Sequence, residues 1–335
     1  MLNRNSYLCI SGWGDGVAGI EVGALVAGAG VDSIDNAEGV CTESLSNYAT
    51  LNMGTGDQVA EFTATVEVNP LESQLDGMYT VALLGIRITP LDTDVVLRGS
   101  LTYGSQTWWS AATVYGQTME RTLPDSGVEG HSLMGSGLTN LVFHDLPEML
   151  FTGLPLEFAL TLDAGFSLSG CSIRIGSIFG GLQIPFANSP GVFTWSDEVV
   201  NQEFTTRALA HISSDGVMRP SVAFEVTTTD LKGITGVGLD YYNQPGGSLP
   251  VPNFFRAMIA SVGQPMLLSP YPYAVSDAWG DSVDTAEIAQ RIRSIRQNFF
   301  SIYGLLDRRS EITVREFNEG LNTEYRVRMR FAGIR

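Results

Sequence analysis

Charged side chains are scarce in this 335-residue chain, at 16% of its length against roughly 25% in an average soluble domain. Lysine is almost missing: Lys232 stands alone beside 18 arginines. Cysteine and histidine occur three times each. Cys9, Cys41 and Cys171 show no CxxC or other metal-ligand spacing, and three thiols cannot all pair within one chain, so they read as small buried hydrophobes. No apolar run approaches the 18 or so residues of a membrane helix, and Tyr7-Leu8-Cys9-Ile10 is too short for a signal-peptide core. Disulfide scaffolds, zinc modules and helical membrane proteins are thereby disfavoured. The expectation is a protein with no metal and no cofactor, made and assembled in the cytoplasm.

The missing charges are replaced by glycine and small polar residues, the composition of many short strands joined by turns. The few charges are unevenly placed. Between Asp284 and Arg335 ten arginines face seven acids, which leaves nine basic against 29 acidic residues in 1–283. A net charge of −17 argues against nucleic acid as a partner, because phosphate binding needs clustered Lys and Arg. An acidic body with a mildly basic tail suits head-to-tail contact between copies.

Four regions follow from pattern. Residues 1–57 are Gly-rich strands and loops. Residues 58–185 read as a β-sandwich of jelly-roll type: Phe62, Ala64, Val66 and Val68 alternate with polar neighbours, and further strands are expected at Tyr79–Ile88, Val95–Tyr103, Trp108–Tyr115, Leu138–Phe143, Leu156–Leu162 and Ser172–Ile178. Asp163–Gly165 and Gly180-Gly181 are among the expected turns. Residues 186–283 continue as a β-rich domain with Pro-rich loops, containing strands at Phe193–Trp195, Arg207–Ile212, Ser221–Thr229, Val237–Tyr242 and Met266–Ser269 and a short helix from Asn253 to Gly263. In residues 284–335, Asp284 and Glu287 form a capping box. Ile288, Ile292, Ile295, Phe299 and Ile302 then make one apolar helical stripe ended by Gly304. A hairpin follows, with Ile312 and Val314 on its first strand. On its second, Tyr325, Val327, Met329 and Phe331 alternate with Arg326, Arg328 and Arg330. The fold class is mainly β throughout.

The search for chemistry returns little. His131-Ser132-Leu133 resembles a nucleophile elbow, but Gly135 to Gly137 forbid the helix that must follow. His144 and Asp145 are neighbours on a strand and point to opposite faces, so they make a poor base–carboxylate pair. Asp92-Thr93-Asp94 has a calcium-loop spacing without the rest of that loop. Trp108-Trp109, Trp195 and Tyr241-Tyr242 could stack on sugars, but packing in a core or subunit interface accounts for each of them better. An enzyme is not expected, and catalytic residues are assigned to none of these. The arginine row of the last strand is the one candidate assembly interface, either meeting acidic surface on a neighbour or guarding a free sheet edge.

Some stretches carry a likeness. Gly170-Cys171-Ser172-Ile173-Arg174-Ile175-Gly176-Ser177-Ile178-Phe179-Gly180-Gly181-Leu182 resembles the closing strand of the galactose-binding-like jelly roll in siphophage minor tail proteins. Gly263-Gln264-Pro265-Met266-Leu267-Leu268-Ser269-Pro270 is similar to the step that follows in that group. Phe299–Leu306 and the ending Arg330-Phe331-Ala332-Gly333-Ile334-Arg335 resemble the closing strands of tail-tip proteins. The likeness covers about residues 60–335. It implies a virion structural protein of the tail tip or baseplate, binding copies of itself and neighbouring tail proteins. The alternative is a lectin-like adhesin module on the same virion, with a host-surface glycan as partner.

Overall fold

The computed structural model describes residues 7–10, 20–42, 45, 47–68, 78–114, 116, 139–147, 152–185, 192–200, 203–205, 211–213, 217–228, 265–269, 298, 301–306, 311–317 and 322–333. The first strand is β1 (Tyr7–Ile10), followed by β2 (Ile20–Val22), β3 (Val26–Ala27) and β4 (Val31–Asp35). A 3-10 turn at Ala37–Cys41 leads to β5 (Ala49–Met53), β6 (Val59–Val68), β7 (Met78–Thr89), β8 (Val95–Tyr103) and β9 (Gln106–Val114). Then come β10 (Thr139–Pro147), β11 (Thr152–Leu162), β12 (Ser172–Ile175) and β13 (Ser177–Pro185). The mainly β expectation holds, and the strands form antiparallel sheets consistent with a β-sandwich.

In the sandwich one layer runs β4-β5-β12-β7-β10 and the facing layer runs β2-β6-β11-β8-β9, with β3 also paired to β6. Alternation explains β8, whose burial switches residue by residue: Val95, Leu97, Gly99 and Leu101 point inward and Val96, Arg98 and Ser100 are partly exposed. Between the layers Phe62 stacks on its register partner Phe158 at 5.2 Å, and Phe143 of the opposite layer meets Phe158 at 6.1 Å. Each such side chain contributes about 1.5–3 kcal/mol by leaving water.

The boundary expected at residue 57 is not a structural one. Strands β2 and β3 pair with β6, β4 and β5 extend the other layer through β12, and Leu25, Val31, Leu51 and Met53 share one core with Phe62 and Ile173. Residues 20–53 of the Gly-rich opening therefore complete the sandwich. Its composition hid this, because all five strands described in it are only two to five residues long.

Strand β7 differs from β8: Tyr79 to Leu84 are all buried, on both faces. Its inward residues Tyr79, Val81 and Leu83 belong to the sandwich core. Ala82 and Leu84 belong to a second core with Cys9, Val142, Phe179, Leu267 and Tyr303. Strands β18 (Met266–Ser269) and β19 (Ile302–Leu306) bring Leu267 and Tyr303 to that second core; before them in the chain come β14 (Val192–Val200), β15 (Glu203–Thr205), β16 (His211–Ser213) and β17 (Val217–Thr228). Strand β1 lies between β13 and β18, so the sheet continues β7-β13-β1-β18-β19 past the edge of the sandwich. His144 of β10 lies 3.3 Å from Ser269 of β18, four strands away in the order of pairing. A flat sheet would separate such strands by about 19 Å, so this run curls around the second core.

The sheet ends in β20 (Glu311–Phe317) and β21 (Asn322–Gly333), with the order β14-β17-β21 and with β20 also on β21. The expected C-terminal hairpin is present, Phe317 opposite Asn322. Three local expectations need correcting. Gly180 and Gly181 are not a turn: they lie within β13, opposite Val81 and Thr80 of β7. Ile302 and Gly304 are not the end of a helix, since both are buried in β19 and Gly304 pairs with Met266 and Gly333. Ile302 thus leaves the expected helical stripe; Ile288, Ile292, Ile295 and Phe299 lie outside the described residues, as do Val237–Tyr242 and Asn253–Gly263. Finally, β21 is not a free edge, because β17 flanks one side and β20 and β19 flank the other. Edge guarding is removed as a role for its arginines.

Candidate functional site

The arginine row sits in the middle of a four-stranded region. Arg328 lies opposite Glu225 of β17 and Glu311 of β20, and Arg315 opposite Glu324. Opposite charges at directly facing positions stabilise a strand pair modestly, so register answers part of the row's charge within the chain. Arg326 lies opposite Thr227 and Thr313, and Arg330 opposite Ala223. Arg328 is exposed and Arg330 half-buried. The alternate positions are apolar, with Phe193, Phe224 and Met329 in one row and Trp195, Val222 and Phe331 in the next.

The other sequence candidates resolve into structural roles. His144 places one ring nitrogen 3.2 Å from the Thr80 hydroxyl and the other 3.3 Å from that of Ser269. It ties β10 to both β7 and β18, and Ser269 is fully buried beside it. Asp94 accepts a hydrogen bond from the Gly116 backbone N–H at 3.1 Å. Trp108 packs against the sandwich core. Residues 131–133 and 241–242 lie outside the described residues. Among the described residues no three potential metal ligands come together, and no helix is long and apolar enough to cross a membrane. The cysteines are free thiols; Cys9 and Cys171 are buried, but Cys41 is exposed, against expectation, at the end of the 3-10 turn. Burial pushes the Cys9 thiol up to about 12, which makes it a poor nucleophile.

Two features escaped sequence reading. One is Asn298, which clasps the two sandwich layers at their open side. Its side-chain carbonyl accepts from the Val142 N–H of β10 at 3.2 Å, and its amide donates to Ser110 Oγ and the Ala111 carbonyl of β9 at 2.9 and 2.8 Å. Ser110 in turn donates to the Val142 carbonyl at 2.8 Å. Both edge strands thus have side-chain partners where backbone partners are missing.

The other is the outward face of β4, β5, β12 and β7, which is polar. Register aligns Asp35, Thr50, Arg174 and Arg87 in one row and Ser33, Asn52, Ser172 and Thr89 in the next. The second row is tied by hydrogen bonds: Ser172 donates to Asn52 Oδ1, and Asn52 donates to Ser33 Oγ and Asp35 Oδ2. The Arg174 guanidinium stacks 3.7 Å above the Tyr48 ring and donates to the Leu45 carbonyl at 2.7 Å, while its Nε has no hydrogen-bond partner. Burial pushes its pKa down, with Tyr48 opposing and the positive Arg87 adding to the shift. Only the alternation of Arg174 between Ile173 and Ile175 was visible beforehand. Its pairing with Arg87, 87 positions earlier in the chain, depends on sheet order.

No protein-family model, no curated protein and no solved structure matches this chain.

Proposed function

We propose that the chain is a structural subunit of the tail tip or baseplate of a tailed bacteriophage, associating with copies of itself and with neighbouring tail proteins, in the virion after assembly in the host cytoplasm. The sandwich supports the fold half of this reading. Its strands order as β5-β12-β7-β10 and β6-β11-β8-β9, and every connection except β8 to β9 crosses between layers. That order supports reading the sandwich as a jelly roll, with its double Greek key, the fold implied by the likeness at residues 170–182.

The observation that carries the assembly half is the region β14-β17-β21-β20. It extends the sheet beyond the sandwich, and its register aligns Phe193 with Phe224 and Met329, and Trp195 with Val222 and Phe331. Among the described residues β14 pairs on one side only, leaving a nine-residue edge. A long edge next to strands rich in apolar residues favours strand addition by a neighbour. Sedimentation velocity of the full chain tests this: defined oligomers are expected, and Trp195→Glu should shift them toward monomer with the melting profile retained. A monomer at all concentrations that also binds glycans would instead support the adhesin alternative. Antibody labelling of virions, read by negative-stain microscopy, tests the location.

A further inference from the structure

We infer that the sheet edge at Val26–Ala29 pairs with the same edge of a second copy of this chain, joining two sandwiches through a two-fold axis near Ala27. The inference rests on the reading that copies associate, and it names a surface separate from β14. Residues 22–31, Val-Gly-Ala-Leu-Val-Ala-Gly-Ala-Gly-Val, hold no charged or polar side chain. They run along β6 as the rim of its layer. The Gly23 and Gly28 N–H groups donate to the Thr65 and Glu61 carbonyls, and the Ala29 carbonyl accepts from Glu61 N–H. A methyl at Gly28 would lie 2.8 Å from the Glu61 carbonyl oxygen, so the segment lies close against β6. Among the described residues β3 pairs with β6 alone. Val26 is 60% exposed, with Ala27, Gly28 and Ala29 exposed beside it. Val59 of β6, 37% exposed, extends the apolar surface next to Gly30.

The other three rims of the sandwich are protected. Strand β4 carries Asp32 and Asp35, and its register shifts between Val31 and Ser33. Acidic side chains and bulges both discourage strand addition. Strands β9 and β10 are tied to each other through Asn298, Ser110 and Thr139. The rim at Val26 has none of these devices, and a long uncharged edge is a template for another strand. Charge selects a second copy as the occupant. A chain of net charge −17 repels its copies across most of its surface, and this run lets two backbones approach with no acid at the contact. A two-fold contact needs a self-complementary patch. An axis at Ala27 sets Val26 of each copy opposite Gly28 of the other, a larger side chain over a position with none.

A disulfide trap tests the pairing in the full chain. Cys41→Ser removes the exposed native thiol, and Ala27→Cys places a new one at the axis. Antiparallel partners lie about 4.5–5.5 Å apart between Cα atoms, within disulfide reach, so mild oxidation should yield a covalent dimer. Ser105→Cys in the same background, exposed in the β8–β9 turn, should not. Sedimentation velocity gives the second readout. Val26→Lys puts a charge on an exposed position, so the melting curve should stay as it is while self-association weakens about 10-fold or more. Dissociation by Val26→Lys without a trapped Ala27→Cys dimer overturns the two-fold and points to another occupant of the edge. Oligomers indifferent to Val26→Lys overturn this inference alone and leave the assembly reading with β14. A wild-type chain that is monomeric at all concentrations overturns both.

Discussion

Strands β7 and β8 come from the same sandwich, face each other across its core, and differ in what lies on their backs. The back of β8 meets solvent, and its sequence alternates accordingly, Val-Val-Leu-Arg-Gly-Ser-Leu-Thr-Tyr. The back of β7 is covered by a second core, and Tyr-Thr-Val-Ala-Leu-Leu loses the alternation. A strand buried on both faces reads as a nearly continuous apolar run. The contrast locates the seam of the molecule: β7 carries the sandwich on one face and the curled continuation of the sheet on the other.

The largest expected effect breaks that contrast directly. Leu84→Asp should abolish cooperative folding, because it buries an unpaired carboxylate at a fully enclosed position. Ser100→Asp, on the partly exposed back of β8, should change stability by less than about 0.5 kcal/mol. The milder Leu84→Ala should cost about 2–5 kcal/mol. Denaturant unfolding measures all three, and a small loss for Leu84→Ala would mean that the second core contributes little.

Next comes the clasp. Asn298→Ala leaves the Val142 N–H and the Ala111 carbonyl without the side chain that satisfies them in a buried place, at a cost of about 2–4 kcal/mol. Amide exchange at Val142 should accelerate with the loss. Protection equal to wild type would show that Asn298 adds nothing to closure of the sandwich.

How much of this was legible follows from the same contrast. The half-wet strand β8 was found at Val95–Tyr103 without error, and so was the short, fully buried β18 at Met266–Ser269, an apolar run set between prolines. Position in chain misled where partners were remote. Strand β1 carries only four residues, and its neighbours begin at Ser177 and Met266, so nothing local marked it as the link between two cores. Ile302 fitted a helical stripe by spacing, yet pairing with Leu268 draws it into β19. The polar row of Asp35, Thr50, Arg174 and Arg87 is a product of register between segments near residues 35, 50, 87 and 174, which period-2 patterning cannot align.

The seam also predicts a pH response. Cys9 sits in the second core with its pKa raised from 9.0 to about 12, chiefly by desolvation, with a Thr80 hydrogen bond opposing and Asp145 adding. Below pH 9 the thiol is protonated in both folded and unfolded chains and has no effect. Above it the unfolded chain ionises first, so stability falls as pH rises toward 12, by about 1.4 kcal/mol per unit. Cys9→Ala should flatten that part of the stability profile measured by urea unfolding from pH 8 to 10.5. An unchanged slope would assign the loss to other groups.

The smallest effect compares one glycine from each strand. Gly85 of β7 has φ of +66°, and its backbone N–H donates to Asn140 Oδ1 at 3.1 Å. Across from it Gly176 donates to the Leu84 carbonyl between β12 and β13, so the two glycines mark an irregularity that turns the strand toward the second core. A methyl at Gly85 meets nothing closer than 3.5 Å, which leaves only the left-handed backbone penalty, about 1–2 kcal/mol. Gly99 of β8 has no positive φ among the described glycines, but a methyl there would lie 2.9 Å from Leu141 Cδ1 and 3.2 Å from Phe143 Cζ. Leu141 Cδ1 ends a flexible side chain and can move, and alanine also lowers the entropy of the unfolded chain. Gly99→Ala should therefore cost about 1 kcal/mol, the low end of the overpacking penalty, and Gly85→Ala should cost more. Equilibrium unfolding of both variants decides the order. If Gly99→Ala proves the costlier, packing beneath Phe143 outweighs backbone conformation, and the irregularity in β7 is not what directs the sheet out of the sandwich.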